Sequence, residues 1–165
     1  MIRKTLAASL FVLTVAGFAG MASAAEKPVP ERYVDAFDWP TADAGMDRFA
    51  AAEAKLVAGF DSVCADTFCE GDFSNLRPMD LRCSVDSTKS TLKQCVWTFA
   101  GSSSSVNRKT GAVATTARLF KCKFMLAKNT PIEAFYEVMN GDDPLNAKLP
   151  MSRHSVYDSV SNCLY

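Results

Sequence analysis

Met79-Asp80-Leu81-Arg82-Cys83-Ser84-Val85-Asp86 alternates apolar and polar side chains without a break. Successive side chains of a strand point to opposite faces, so a period of two predicts a strand with one covered face. The pattern returns twice. Cys95, Trp97 and Phe99 alternate with Gln94, Val96 and Thr98, and Phe120, Cys122, Phe124 and Leu126 alternate with Leu119, Lys121, Lys123 and Met125. A polar turn at residues 86–89 separates the first two segments, and a longer loop from Gly101 to Gly111 separates the second two. Three such segments in succession predict an antiparallel meander with a single buried face.

Helical periods flank the meander on both sides. Thr41 is a suitable N-cap, and Asp43 in the first turn suits the helix dipole. Met46, Phe49, Ala50, Leu56, Val57, Phe60 and Val63 recur at helical spacing, interrupted by Glu53, and Cys64 falls at the end of that stripe. Toward the C-terminus, Thr130-Pro131-Ile132-Glu133 reads as a capping box with proline at the first helical position. Ile132, Phe135, Tyr136 and Met139 supply that helix's apolar stripe, and Asn140-Gly141 ends it. A last stripe, Val156, Tyr157, Val160, Cys163 and Leu164, predicts a second C-terminal helix starting from Ser152. The expected fold is α+β and two-layered: a three-stranded antiparallel meander, with room for a fourth strand, carrying one long N-terminal helix and two C-terminal helices on one face.

Residues 1–24 read as an export signal. Arg3 and Lys4 precede an apolar run from Leu6 to Phe18, and Ala22-Ser23-Ala24 closes it with the small-x-small pattern that signal peptidase cuts. The run is short for a membrane span, no stop-transfer segment follows, and no cysteine sits at the cleavage point to carry a lipid anchor. The mature chain is therefore expected to begin at Ala25 and to be periplasmic or secreted. Pro28, Pro30 and Pro40 mark residues 25–40 as an extended lead-in, and residues 41–165 form the expected single domain. The chain carries 18 Lys and Arg against 18 Asp and Glu, so losing Arg3 and Lys4 leaves an excess of two acids. That balance gives no reason to expect nucleic-acid binding or membrane-surface attachment.

In an oxidising compartment the six cysteines read first as disulfides. Strand parity puts Cys83, Cys95 and Cys122 on the buried face of the sheet, while Cys64 and Cys163 end helical stripes that cover it. Symmetric hairpins place Cys95 opposite both Cys83 and Cys122, and only one of those pairs can form. The preferred set is Cys64–Cys69, Cys83–Cys95 and Cys122–Cys163; a set tying sheet to helix, such as Cys64–Cys83, competes with it. No Cys-x-x-Cys spacing occurs, and the chain has one histidine, so no metal or redox cofactor is expected.

Two segments stand out as candidate binding sites. Asp61, Asp66, Glu70 and Asp72 crowd the region around Cys64 and Cys69, interleaved with Phe68 and Phe73. Exposed rings there would make a recognition patch with Glu70 and Asp72, because aromatic side chains dominate interface anchors; buried rings would only cap the core. The second segment is the loop Gly-Ser-Ser-Ser-Ser-Val-Asn-Arg-Lys-Thr-Gly from Gly101 to Gly111, whose composition predicts flexibility. Arg108 and Lys109 put positive charge near its tip, suited to an acidic cleft in a partner protein. The outer face of the sheet, with Asp80, Arg82, Asp86, Val96, Leu119, Lys121, Lys123 and Met125, reads as solvent-exposed or as a bed for a second copy.

The general plan is similar to small disulfide-bonded periplasmic proteins of Gram-negative bacteria, lysozyme inhibitors and immunity proteins among them. That resemblance rests on export, size and cysteine content, and it implies a non-catalytic protein that binds another protein of the periplasm. The Ser-Gly-x-x-Tyr loop of one lysozyme-inhibitor group is absent, since no tyrosine follows Gly101-Ser102-Ser103-Ser104. Two other functions compete with this expectation. One is a small periplasmic hydrolase using the carboxylates at 61–72 with His154, which would need a cleft where they face one another. No Gly-x-Ser-x-Gly elbow accompanies His154. The other is a carrier of a small apolar ligand in a cavity lined by Trp97, Phe99, Phe120 and Phe135.

Overall fold

The alternating segments form the centre of an antiparallel sheet in a computed structural model that describes residues 32–165. Residues 1–31, which hold the expected export signal and the start of the expected lead-in, lie outside the described residues. The strands are β1 (Tyr33–Asp35), β2 (Arg77–Asp86), β3 (Thr91–Val106), β4 (Val113–Lys123) and β5 (Thr130–Pro131). β1 to β4 lie side by side in chain order, and β5 adds a short pairing to the start of β3. The helices are α1 (Ala42–Cys64), α2 (Ile132–Asn140) and α3 (Val156–Leu164). The fold is α+β, as the alternating and helical periods together imply.

The inward side chains of the sheet, Leu81, Cys83, Val85, Cys95, Trp97, Phe99, Phe120 and Cys122, are all buried. They form one core with Phe49, Leu56 and Phe60 of α1, Ile132, Phe135, Tyr136 and Met139 of α2, and Val156 and Val160 of α3. Trp97 and Phe99 pack 4.7 Å apart, and Phe60 lies 4.9 Å from Phe99, so aromatic rings fill the space between α1 and the sheet. Three disulfides close the structure: Cys64–Cys69 at the end of α1, Cys83–Cys95 across β2 and β3, and Cys122–Cys163 between β4 and α3. Bonds of this kind fit a chain that folds outside the reducing cytoplasm.

Cys83 faces Cys95 directly, but the residue facing Cys122 is Trp97. The β3–β4 hairpin is therefore offset by two residues from the symmetric register, which removes Cys95–Cys122 as a competitor and leaves Cys122 for α3. Further expectations need correction. Met79 is exposed because a register shift between Pro78 and Asp80 makes it the extra residue of a bulge. Leu81 N–H, beside that bulge, donates to Glu53 Oε1 at 2.9 Å. Glu53 is thus a bond from α1 to the sheet and not an interruption of its apolar face. Met46 is exposed, and the buried face of α1 runs through Gly45, Phe49, Ala52, Leu56, Phe60 and Cys64.

Gly45 is needed for contact. A Cβ there would lie 2.5 Å from Phe37 O and 2.6 Å from Trp39 N, so only glycine lets the first turn of α1 sit on residues 36–39. Those residues and β1 belong to the stretch expected as lead-in, and β1 pairs with the end of β2. The expected capping box of α2 does not form, because Thr130 donates its hydroxyl to Ala127 O and Glu133 is drawn to Arg48. α3 begins at Val156, not near Ser152; its capping box is Ser155 with Asp158. Asp86 is buried at the end of β2, where Arg32 and Thr88 cover it, and is not part of the exposed outer face.

Candidate functional site

The segment expected to be a flexible loop is a projecting β-ribbon. β2 leaves the side of β3 at the pair Arg77–Ala100, whereas β3 and β4 stay paired from Gly101–Arg118 to Val106–Val113. Beyond Ala100 this two-stranded arm reaches roughly 17 Å, at the usual rise per strand residue. Its residues from Ser103 to Leu119 are exposed on both faces. A run of serines favours a loop by composition, yet here it pairs across the ribbon with β4, and the Ser104 and Thr115 hydroxyls lie 2.9 Å apart.

Both ends of the arm are held. At its base the Asn75 side chain accepts from Ser102 N–H at 2.7 Å and donates to Ser102 Oγ at 2.8 Å. Gly101 lies under Phe73 and Leu76, where a Cβ would meet their carbons at 2.9 and 2.8 Å. At the tip Asn107 organises the turn. Its backbone N–H donates to Ala112 O, its carbonyl accepts from Gly111 N–H, and its Oδ1 accepts from the N–H groups of Lys109 and Thr110 at 2.9 and 3.2 Å. Gly111 takes the left-handed conformation that closes the turn, at φ +73°. The backbone carrying Arg108 and Lys109 is thereby fixed, while both side chains stand in solvent.

The other candidate residues are distributed unevenly. Phe68 is 2% exposed, stacked on Phe60 at 5.3 Å and packed against Tyr157 at 5.1 Å, so it belongs to the core and not to a surface patch. Phe73 is half-buried and meets Phe120 edge-on at 5.6 Å. Together with Asp72, Arg118, Phe120, Leu164 and Tyr165 it lines a groove of about 280 Å³ at the base of the arm. Arg118 lies over the Phe120 ring at 4.5 Å. Asp72 and Phe73 are thus brought to the root of the arm, whereas Arg108 and Lys109 stand at its far end. Glu70 is exposed and does not line the groove.

The requirements of the competing functions can be compared with this geometry. Asp61, Asp66, Glu70 and Asp72 are exposed, and Asp61 lies 3.9 Å from Arg77. The cavity beside Asp61 and the groove beside Asp72 are each lined by one acidic side chain, and neither is lined by His154. A wider space of about 590 Å³ lies between α1 and residues 141–146. On its wall Lys55 donates to the carbonyls of Asn140 and Gly141, and Asp143 accepts from Asn146. Trp97, Phe99 and Phe135 pack in the core and line none of these cavities. Among the described residues no cluster of three or more His, Cys, Asp or Glu side chains is placed to hold a metal. Among the same residues no helix is long and apolar enough to cross a membrane.

One signal in the sequence was hidden by the balanced overall charge. From residue 87 to 132 there is no Asp or Glu, while Lys89, Lys93, Arg108, Lys109, Arg118, Lys121, Lys123 and Lys128 all fall in that stretch. All eight are exposed, and among the described residues none of them forms an ion pair. Elsewhere among the described residues Arg32 pairs with Asp86, Arg48 with Glu133, Arg77 with Asp61, Arg82 with Asp80 and Lys148 with Asp158, Lys55 bonds two backbone carbonyls, and Arg153 alone stands exposed without a partner. Asp86, Glu133 and Asp158 are held below the ordinary carboxylate range. The main causes are the Thr88 hydroxyl at Asp86, the Arg48 guanidinium at Glu133 and the Ser155 backbone N–H at Asp158. Positive charge left uncompensated is concentrated on the β3–β4 half of the molecule, arm included.

Comparison with protein-family models, with curated proteins and with solved structures returned no match.

Proposed function

We propose that this protein is a non-catalytic, exported binding module of the inhibitor or immunity type, working in the periplasm, whose arm enters an acidic cleft of a protein partner. The observation that carries the proposal is the arm itself: a ribbon exposed on both faces, clamped at its base by Asn75 and at its tip by Asn107, presenting Arg108 and Lys109 without counter-charges. An ordered tip loses less conformational entropy on docking than a mobile loop, so more of the interaction energy appears as affinity. Unpaired cations on a projecting tip also steer encounter with an acidic surface, an effect that salt weakens. The groove beside Phe73 and Arg118 offers a partly apolar second contact at the arm's root.

The expected export signal and the three disulfides support such a role outside the cytoplasm. The test is the affinity of the oxidised protein for a captured periplasmic partner, measured with Arg108→Ala/Lys109→Ala beside the unaltered chain. A loss of roughly tenfold or more, larger at 50 mM than at 300 mM salt, is expected for two desolvated charge contacts. Unchanged affinity would remove the arm from the account.

A further inference from the structure

The β2–β3 turn and the loop after β4 enclose a cleft of about 350 Å³ at the end of the sheet opposite the arm. Arg32, Asp86, Lys89, Lys93, Lys128 and Asn129 supply its polar wall, and Leu92 and Leu126 supply apolar wall. The single carboxylate is already saturated. Asp86 Oδ2 accepts from Arg32 Nε and Nη2 at 3.3 and 3.2 Å, and Oδ1 accepts from the Thr88 N–H and hydroxyl at 3.1 and 2.6 Å. Arg32 and Asp86 therefore neutralise one another, and three lysines remain around one concavity with no ion-pair partner among the described residues. A concave wall of one sign focuses its field into the space it surrounds.

We propose that this cleft binds a compact polyvalent oxyanion of the phosphate or polyphosphate class. Three ammonium groups on flexible stems read total charge and have no rigid planar fork for matching a single carboxylate. The space exceeds what one phosphate group fills and suits two linked groups or a phosphorylated small molecule. Neither Lys93 nor Lys128 is on the arm, so this site and the partner site fail independently.

The experiment is calorimetric titration of the oxidised protein with inorganic pyrophosphate in 50 mM salt. Three chains are compared: unaltered, Lys93→Ala/Lys128→Ala, and Lys121→Ala/Lys123→Ala. The last pair removes the same charge from the outer face of the sheet. One-to-one binding is expected, weakened roughly tenfold or more by the cleft pair and less than about twofold by the outer pair. Near-ultraviolet circular dichroism confirms that each variant, altered only at exposed lysines, is folded. Absence of binding at millimolar pyrophosphate would overturn the proposal, as would equal losses in the two double variants, which would mean that only net charge is read. Vesicles containing phosphatidic acid identify the source: displacement of pyrophosphate points to a lipid head group, and its absence with pyrophosphate bound points to a free anion.

Discussion

Excising the arm separates its use in binding from any use in folding. Replacing Ser103–Thr116 by Asn-Gly joins Ser102 to Ala117, which already face each other in the ladder, through a dipeptide that favours a tight hairpin turn. The Asn75 bonds to Ser102 and the packing of Phe73 and Leu76 on Gly101 stay in place. The larger apolar side chains removed are Val106 and Val113, which are 63% and 68% exposed, so each has about a third of its surface out of water. At about 1.5–2 kcal/mol for a fully buried valine, the pair contributes about 1 kcal/mol. Shortening the connection from fourteen residues to two returns about 1–2 kcal/mol of closure entropy. The ladder bonds that are lost only offset the ordering of their own residues, as in isolated two-stranded hairpins. The net change in unfolding free energy is expected within about 1 kcal/mol of zero. Urea denaturation followed by the fluorescence of Trp39 and Trp97 measures it, with partner binding assayed on the same preparation. A stability loss above about 3 kcal/mol would refute the reasoning, because the arm would then be part of the structure that holds the domain together.

Three further outcomes are expected. The three disulfides span sequence separations of 41, 12 and 5, so chain-entropy stabilisation ranks Cys122–Cys163 first, then Cys83–Cys95, then Cys64–Cys69, at about 4, 3 and 2 kcal/mol. Double alanine variants compared by urea midpoint should keep that order, and a larger loss at Cys64–Cys69 than at Cys122–Cys163 would contradict it. Phe68→Ala removes a core ring and should cost about 3–5 kcal/mol; a variant of full stability that has lost partner binding would return Phe68 to the surface. Asp86, Glu133 and Asp158 have folded values below their unfolded ones, so their contribution is complete above about pH 5 and disappears as pH falls through the folded values. Asp86→Asn should therefore lower the urea midpoint at pH 7 and flatten its acid limb below about pH 4, and an unchanged acid limb would remove Asp86 from the explanation.

Much of the sheet was legible because its inward and outward side chains differ in chemistry. Leu81, Cys83 and Val85 alternate against polar neighbours, Cys95, Trp97 and Phe99 against the smaller or polar Gln94, Val96 and Thr98, and parity alone brought Cys83 and Cys95 to one face. The Cys122–Cys163 bond followed from a helical stripe ending over that same face. The arm was not legible as strand, since Ser102 to Ser105 and Ala114 to Ala117 have no buried face and hence no period to read. What makes them strands is their partner across the ribbon, a non-local property. Met79 was misplaced for a related reason: a bulge inserts one residue and reverses the parity of everything before it. Glu53 looked like a fault in the apolar stripe because the Leu81 N–H it satisfies is far away in sequence. Of the candidate site, Arg108 and Lys109 were readable from charge at a turn. The groove at Arg118 and the lysine cleft were not, because a balanced total charge conceals an acid-free stretch of chain.

The central claim is that the arm tip makes the contact with an acidic protein partner. Its most direct measurement is retention from a periplasmic extract on the immobilised, oxidised protein, compared with Arg108→Glu/Lys109→Glu at the same salt concentration. The account predicts one stoichiometric acidic protein held by the unaltered chain, eluted by salt, and absent from the charge-reversed variant. The same protein retained equally by both would contradict it.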